Sequence, residues 1–208
     1  MKRSDRILAI TLTLLFLSIM PAAAHPYNRE AAASYAYNNA LNDVPNSAYF
    51  QALGGDCTNF ASYCLKAGGW KQVIDLSAGI NVYKSDQSWY SISTAAGRTS
   101  YSWGGAQPFY NFLAANYQRA TPVSVVYSLD KLQKGDIIQS DTGKDNRFNG
   151  WDHTMVVNDK RNGIIYLSYH NSKVRDISFG DMKKKMESQA NGQPVRYIGW
   201  HIKDTYSI

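Results

Sequence analysis

An α+β fold, with helices leading and an antiparallel sheet following, is what this 208-residue chain predicts. Helical spacing of apolar residues is concentrated in the first third and one mid-chain segment, and strand-type runs rich in β-branched residues take over from about Val123. The length suits one packed domain. With 44% hydrophobic, 13% aromatic and only 18% charged residues, the composition excludes a disordered chain, a collagen and a coiled coil.

Residues 1–24 stand apart from the fold. Met1 to Arg6 is basic, Ile7 to Met20 is apolar and Ala22 to Ala24 are small, the three parts of a secretory signal peptide. About 14 apolar residues fall short of the roughly 20 that span a bilayer. Cleavage near His25 is therefore expected, leaving residues 25–208 as a single extracytoplasmic domain, secreted or periplasmic, with no stable membrane insertion. Lys2, Arg3 and Arg6 against Asp5 account for +2 of the net charge of +6, which leaves a scattered +4. The lone basic run, Lys183 to Lys185, reads as a solvated helix face, so no nucleic-acid partner is expected.

The elements follow in order. A first helix runs from an Asn28 cap to about Leu41 (REAAASYAYNNAL). A second, Cys57 to Ala67 (CTNFASYCLKA), has Asp56 as its N-cap and Gly68 and Gly69 as its stop. An irregular aromatic insert comes next, with a helix over 106–117 in which Phe109, Phe112 and Leu113 share a face. Core packing is the better reading of its rings, including Trp89, Tyr90, Tyr101 and Trp103, over a peptide or sugar groove. Strands are read at VSVVY, DIIQ, HTMVV, IIYLSY and, after a basic helix near 180–188, VRYIGWHI. A DKRNG turn joins HTMVV to IIYLSY.

Two cysteines in an exported chain suggest one disulfide, but the helix argues against it. Cys57 and Cys64 lie seven helical residues apart, about 10.5 Å along the axis, whereas a bridge needs Cα atoms within about 7 Å. Two free thiols are expected. Cys64 falls deeper on the buried stripe, while Cys57 sits where unpaired N–H groups and the positive end of the helix dipole favour a thiolate. Gly54 and Gly55 leave room beside it.

A thiol attacking an amide needs a base and a group to orient that base. His153 opens HTMVV after a loop-like segment, and His170 closes the neighbouring run IIYLSYH. Strand alternation also offers Asn171, because Ile165, Leu167 and Tyr169 form the more apolar face and Asn171 continues it. No metal-ligand spacing and no phosphate-binding loop occurs, so no cofactor is expected.

The stretch GGDCTNFASYCLKAGG, Gly54 to Gly69, resembles the cysteine motif of the putative amidase domain family. That family is a branch of the papain-like superfamily that also holds NlpC-type cell-wall endopeptidases and CHAP amidases. The similarity continues through YSWGGAQPFYNFL, the Leu-x-x-Gly-Asp entry at Leu132 to Asp136, the His strand and YLSYHNS. The resemblance implies a papain-like fold with the cysteine helix packed on an antiparallel sheet, Cys57 as nucleophile, His153 as base and His170 as the orienting residue, with Asn171 its competitor. The Cys57 backbone N–H is a natural oxyanion donor. The second donor is unassigned, with Asn59 a weak candidate for polar support. The implied activity is a cysteine amidase or peptidase acting through a thioester, working as a monomer on a peptide or amide, with peptidoglycan peptide favoured by analogy. An acyltransferase would use the same residues, and a secreted inactive glycan- or peptide-binding module is the reading from another class.

Overall fold

The computed structural model of the protein describes residues 24–143, 150–190 and 193–207. The expected leader, apart from Ala24, and part of the loop ahead of His153 lie outside the described residues.

Strand β1 (His25–Pro26) opens the fold, followed by α1 (Arg29–Asn39), α2 (Ser47–Ala52) and α3 (Cys57–Ala67). Asn28 caps α1 as expected, its side-chain oxygen accepting the Ala31 N–H at 2.9 Å. Helix α3 ends where two glycines allow it to. Gly69 adopts φ 92°, and the N–H groups of Gly69 and Trp70 donate to the carbonyls of Lys66 and Leu65, a Schellman closure. A 3-10 segment, Leu76–Lys84, leads to α4 (Tyr101–Gly104) and α5 (Ala106–Ala115). The insert's rings are mostly core: Trp89, Trp103, Phe109 and Phe112 are fully buried, while Tyr101 is 52% exposed.

The remainder is β2 (Ala120–Val123), β3 (Ile137–Asp141), β4 (His153–Arg161), β5 (Ile164–Tyr169), β6 (Val174–Ser178), α6 (Phe179–Gln189), β7 (Arg196–Ile202) and β8 (Thr205–Tyr206). Six of these strands form an antiparallel sheet in the order β2, β7, β3, β4, β5, β6. Asn162 and Gly163, both at positive φ, make the tight β4–β5 turn that the sequence predicts. The fold is α+β, with the cysteine helix on an antiparallel sheet.

Period-two alternation splits the core between the two faces of the sheet. Ile137, Val156 and Trp200 face α1, α3 and α5, where Phe60, Cys64 and Leu65 are buried. Ile138, Met155, Val157, Leu167 and Tyr169 face the other way, onto Met182 and Met186 of α6. Lys183 and Lys184 of α6 are exposed, Lys183 3.6 Å from Glu187, whereas Lys185 is half-buried with its ammonium 5.8 Å from the Tyr169 ring centroid.

The Leu-x-x-Gly-Asp segment has a structural reason. Gly135 takes φ 79°, and a Cβ there would come within 2.8 Å of the Tyr27 hydroxyl, which donates to the Gly135 carbonyl. Asp136, fully buried, accepts from Arg29 at 2.7 Å, from the Ile202 N–H at 2.9 Å and from the Gln133 N–H at 2.8 Å, and its Oδ2 lies 2.9 Å from His201 Nδ1. One carboxylate thus ties the start of α1 to β3 and the end of β7.

One expectation is corrected. The VSVVY run is not a strand, because β2 ends at Val123 and Val126 and Tyr127 are 76% and 88% exposed in the loop beyond it. β7 pairs with the preceding residues, 120–123, and the edge position tolerates Pro122. His25, beside the expected cleavage point, pairs with Tyr206 across β1 and β8.

Candidate active site

The site begins with two glycines leaving α2. The N–H groups of Gly54 and Gly55 donate to the carbonyls of Gln51 and Phe50, at φ values of 110° and 152°. A Cβ on Gly55 would lie 2.5 Å from the Asn171 amide. Glycine is therefore required for Asn171 to approach the chain, and it does so to accept the Asp56 N–H on Oδ1 at 2.8 Å.

Asp56 stands at the cap position of α3, but its side chain makes no capping bond. Its Oδ2 instead accepts the Ser47 hydroxyl at 2.6 Å and faces His170 Nδ1 at 2.8 Å, with both residues fully buried. Burial alone pushes the Asp56 carboxyl up, but the bonds from His170 and Ser47, with the His170 charge, outweigh it and hold the group below its ordinary value. His170 Nε2 faces the Asn39 carbonyl at 3.2 Å, and the ring stacks on Phe60 with centroids 4.1 Å apart. Both ring nitrogens of His170 are thus occupied by oxygens of the α1 end and the α3 start.

Cys57 is the next residue, 5% exposed, at the first turn of α3. Its thiol lies against the beginning of β4, where the Thr154 N–H favours the thiolate, and the Thr58 and Thr154 hydroxyls meet at 2.8 Å. His153 is the residue just before that N–H, 7% exposed, with its ring edge-on to Tyr169 at 4.9 Å. The structure thus brings Cys57 to the mouth of β4 where His153 stands. It brings His170 and Asn171 to Asp56, on the other flank of the helix start.

This arrangement revises three expectations. The expected partly formed thiolate is opposed by burial, which pushes the Cys57 thiol up more than the Thr154 and Thr58 hydrogen bonds lower it. The expected orientation of His153 by His170 meets a ring whose nitrogens already serve Asp56 and Asn39. Asn59 is committed to structure, its amide donating to the Pro45 carbonyl and accepting from the Trp103 indole, each at 2.9 Å.

Sequence reading also passed over Ser140. It pairs directly with His153 across β3 and β4, is fully buried, and its hydroxyl has no hydrogen-bond partner among the described residues. Only strand register puts it there. Among the described residues no group of three His, Cys, Asp or Glu could hold a metal ion.

The model of the putative amidase domain family matches residues 26–194, from β1 to beyond α6. The chain belongs to this family. It is 30% identical over 184 residues to the uncharacterized protein YhbB of Bacillus subtilis, covering 87% of this chain and 52% of that relative. It is 29% identical over 167 residues to the uncharacterized protein YjcM of the same organism, covering 75% of this chain and 34% of the relative. The chain therefore spans about half the length, or less, of these curated relatives. No solved structure matches. Among the described residues no helix is long and apolar enough to cross a membrane.

In this amidase-family chain both cysteines are free, and Cys64 is fully buried with its thiol pushed well up by burial. Two thiols per chain should be alkylated in the denatured, unreduced protein. In the native protein iodoacetamide should take Cys57 much faster than Cys64, and the Cys57 rate should keep climbing beyond the ordinary thiol midpoint of about 8.5. A peptide map locates the label. A Cys57 to Cys64 bridge, or a rate that levels off below that midpoint, would contradict the geometry.

Proposed function

We propose that the protein is an exported cysteine amidohydrolase of papain-like architecture that cleaves an amide or peptide bond through a thioester on Cys57. The observation that carries this reading is the seat of Cys57, at the start of a buried helix and against the strand mouth occupied by His153. Burial pushes the Cys57 thiol up, which gives a base at the strand mouth a proton to remove as attack begins. His153 takes the thiol proton as sulfur bonds to the carbonyl carbon, and the Cys57 backbone N–H faces the charge that develops on oxygen. His153 then gives the proton to the departing nitrogen as the C–N bond breaks. Water attacks the thioester in turn, releasing the acid and restoring the thiol.

His170 and Asp56 enter this scheme as positioning residues that hold the start of α3. Resemblance to cell-wall endopeptidases makes wall peptide the first substrate class to try. Export follows from the basic, apolar and small-residue order of residues 1–24.

The test is incubation with purified peptidoglycan, short wall peptides, proteins and simple amides, with mass analysis of products and of the acid-quenched protein. Hydrolysis together with an acyl adduct on the Cys57 peptide is expected, from protein whose intact mass begins at or close to His25. Hydrolysis that survives complete alkylation of Cys57 would remove the reading.

A further inference from the structure

Two clefts meet at Gly55, two residues ahead of Cys57, and they differ in chemistry. One, of about 480 Å³, is polar and bordered by Gln51, Asn171, Ser172 and Lys173. The other, of about 700 Å³, runs between the exit of α2, the 3-10 segment and the junction of α4 with α5, and none of its lining side chains carries a charge.

The larger cleft is built rather than incidental. The Phe50 ring lies so close over Gly104 that a Cβ there would overlap it, which fixes the floor. Tyr83 meets Tyr101 edge-on at 5.4 Å, which joins two walls. Its apolar side chains nevertheless stand in water: Ile80 is 91% exposed, Leu53 68% and Tyr101 52%. A contiguous apolar surface rimmed by polar residues marks a place where something apolar binds. Gly55, which borders both clefts, stands two residues ahead of Cys57, and that proximity says what that something is.

We propose that this cleft is a substrate subsite, taking an uncharged aliphatic or aromatic group attached close to the scissile amide, while the polar cleft across Gly55 takes the rest of the molecule. The proposal rests on Cys57 as the attacking thiol. It assigns the substrate an apolar flank, which peptidoglycan peptides bearing several carboxylates supply poorly.

Alkylation reads the cleft without any turnover. Cys57 thiolate displaces iodide from an iodoacetamide, forming a C–S bond, and the amide nitrogen of the reagent can carry a hexyl group, a carboxymethyl group or nothing. Each second-order rate on the native protein is divided by the rate of the same reagent with a small free thiol. N-hexyl iodoacetamide should label Cys57 about tenfold faster than iodoacetamide on this scale and saturate with concentration, whereas the carboxymethyl reagent should gain nothing. Ile80→Asp and Leu53→Asp should each erase most of the hexyl advantage, and Ile164→Asp, on the far hairpin, should leave it intact.

Equal normalised rates for the three reagents overturn the proposal, as does a hexyl advantage undiminished in both cleft variants. Preferential, saturable hexyl labelling supports it even if no amide is hydrolysed. Failure of the amidase reading would appear separately, as hydrolysis surviving Cys57 alkylation.

Discussion

Replacing Cys57 by Ala is expected to remove turnover, lowering kcat/KM by at least about three orders of magnitude, and His153→Ala should do the same. Cys57 is 5% exposed on the first turn of α3, so loss of one sulfur leaves the helix, its Schellman end and its packing in place. His153 is more exacting to replace, because its ring packs edge-on against Tyr169 and alanine would leave a hole. His153→Gln serves as the second variant, keeping volume and hydrogen bonding while denying a titratable nitrogen. The double variant should be no worse than either single one within a few-fold, because a nucleophile without its base and a base without its nucleophile fail at the same step. Steady-state kinetics on whichever amide is hydrolysed, with thermal melts to verify folding, decide the matter. Full activity in Cys57→Ala would end the cysteine mechanism.

Breaking the Asp56 and His170 pair is expected to cost stability and activity together. Both side chains are fully buried, and removing one partner of such a pair typically costs about 3–5 kcal/mol. His170→Ala strands the Asp56 carboxylate, and Asp56→Ala strands an imidazole stacked on Phe60. The pH dependence has a definite sign. Asp56 is held below its ordinary value, so its contribution is present above the unfolded carboxyl range near 4 and is lost as pH falls through the depressed folded value. Acidification from about pH 5 downward should therefore narrow the gap in melting temperature between wild type and Asp56→Asn. Activity in His170→Ala should fall by one to three orders of magnitude, and the loss should not add to that of Asp56→Ala. An intact His170→Ala beside a crippled Asn171→Ala would transfer the supporting role to Asn171, which holds the Asp56 N–H.

Local signals were readable and register was not. Helix α3 was legible to the residue because its 3.6-residue stripe, its entry at Asp56 and its glycine stop are contiguous in sequence. The Asn-Gly hairpin between β4 and β5 was legible for the same reason. The link between Asp56 and His170 was not, since 114 residues separate them and no periodicity connects a helix start to a strand end. Alternation along β5 left His170 and Asn171 in competition. Its apolar side, Ile165, Leu167 and Tyr169, is continued by Asn171 and packs on α6, whereas His170 meets Phe60 of α3 and Asp56. A sheet covered on both faces leaves alternation unable to say which helix a strand residue meets. Strand β6 and helix α2 went unseen because VRDIS and SAYFQA are short and mixed in polarity, and only their partners select them.

Helix α3 is clamped at both ends. At its start the Asp56 carboxylate, Ser47, His170 and Asn171 close around one residue. At its finish the Gly68 carbonyl accepts the Asn28 N–H at 2.8 Å, joining it to the head of α1. A rod fixed at two points can neither slide along its axis nor pivot about its thiol. Under the proposed mechanism the sulfur is a stationary anvil: the last ångström of approach to a carbonyl comes from the substrate settling against its surroundings, and the ordering cost of aligning the nucleophile is met at folding instead of at each turnover.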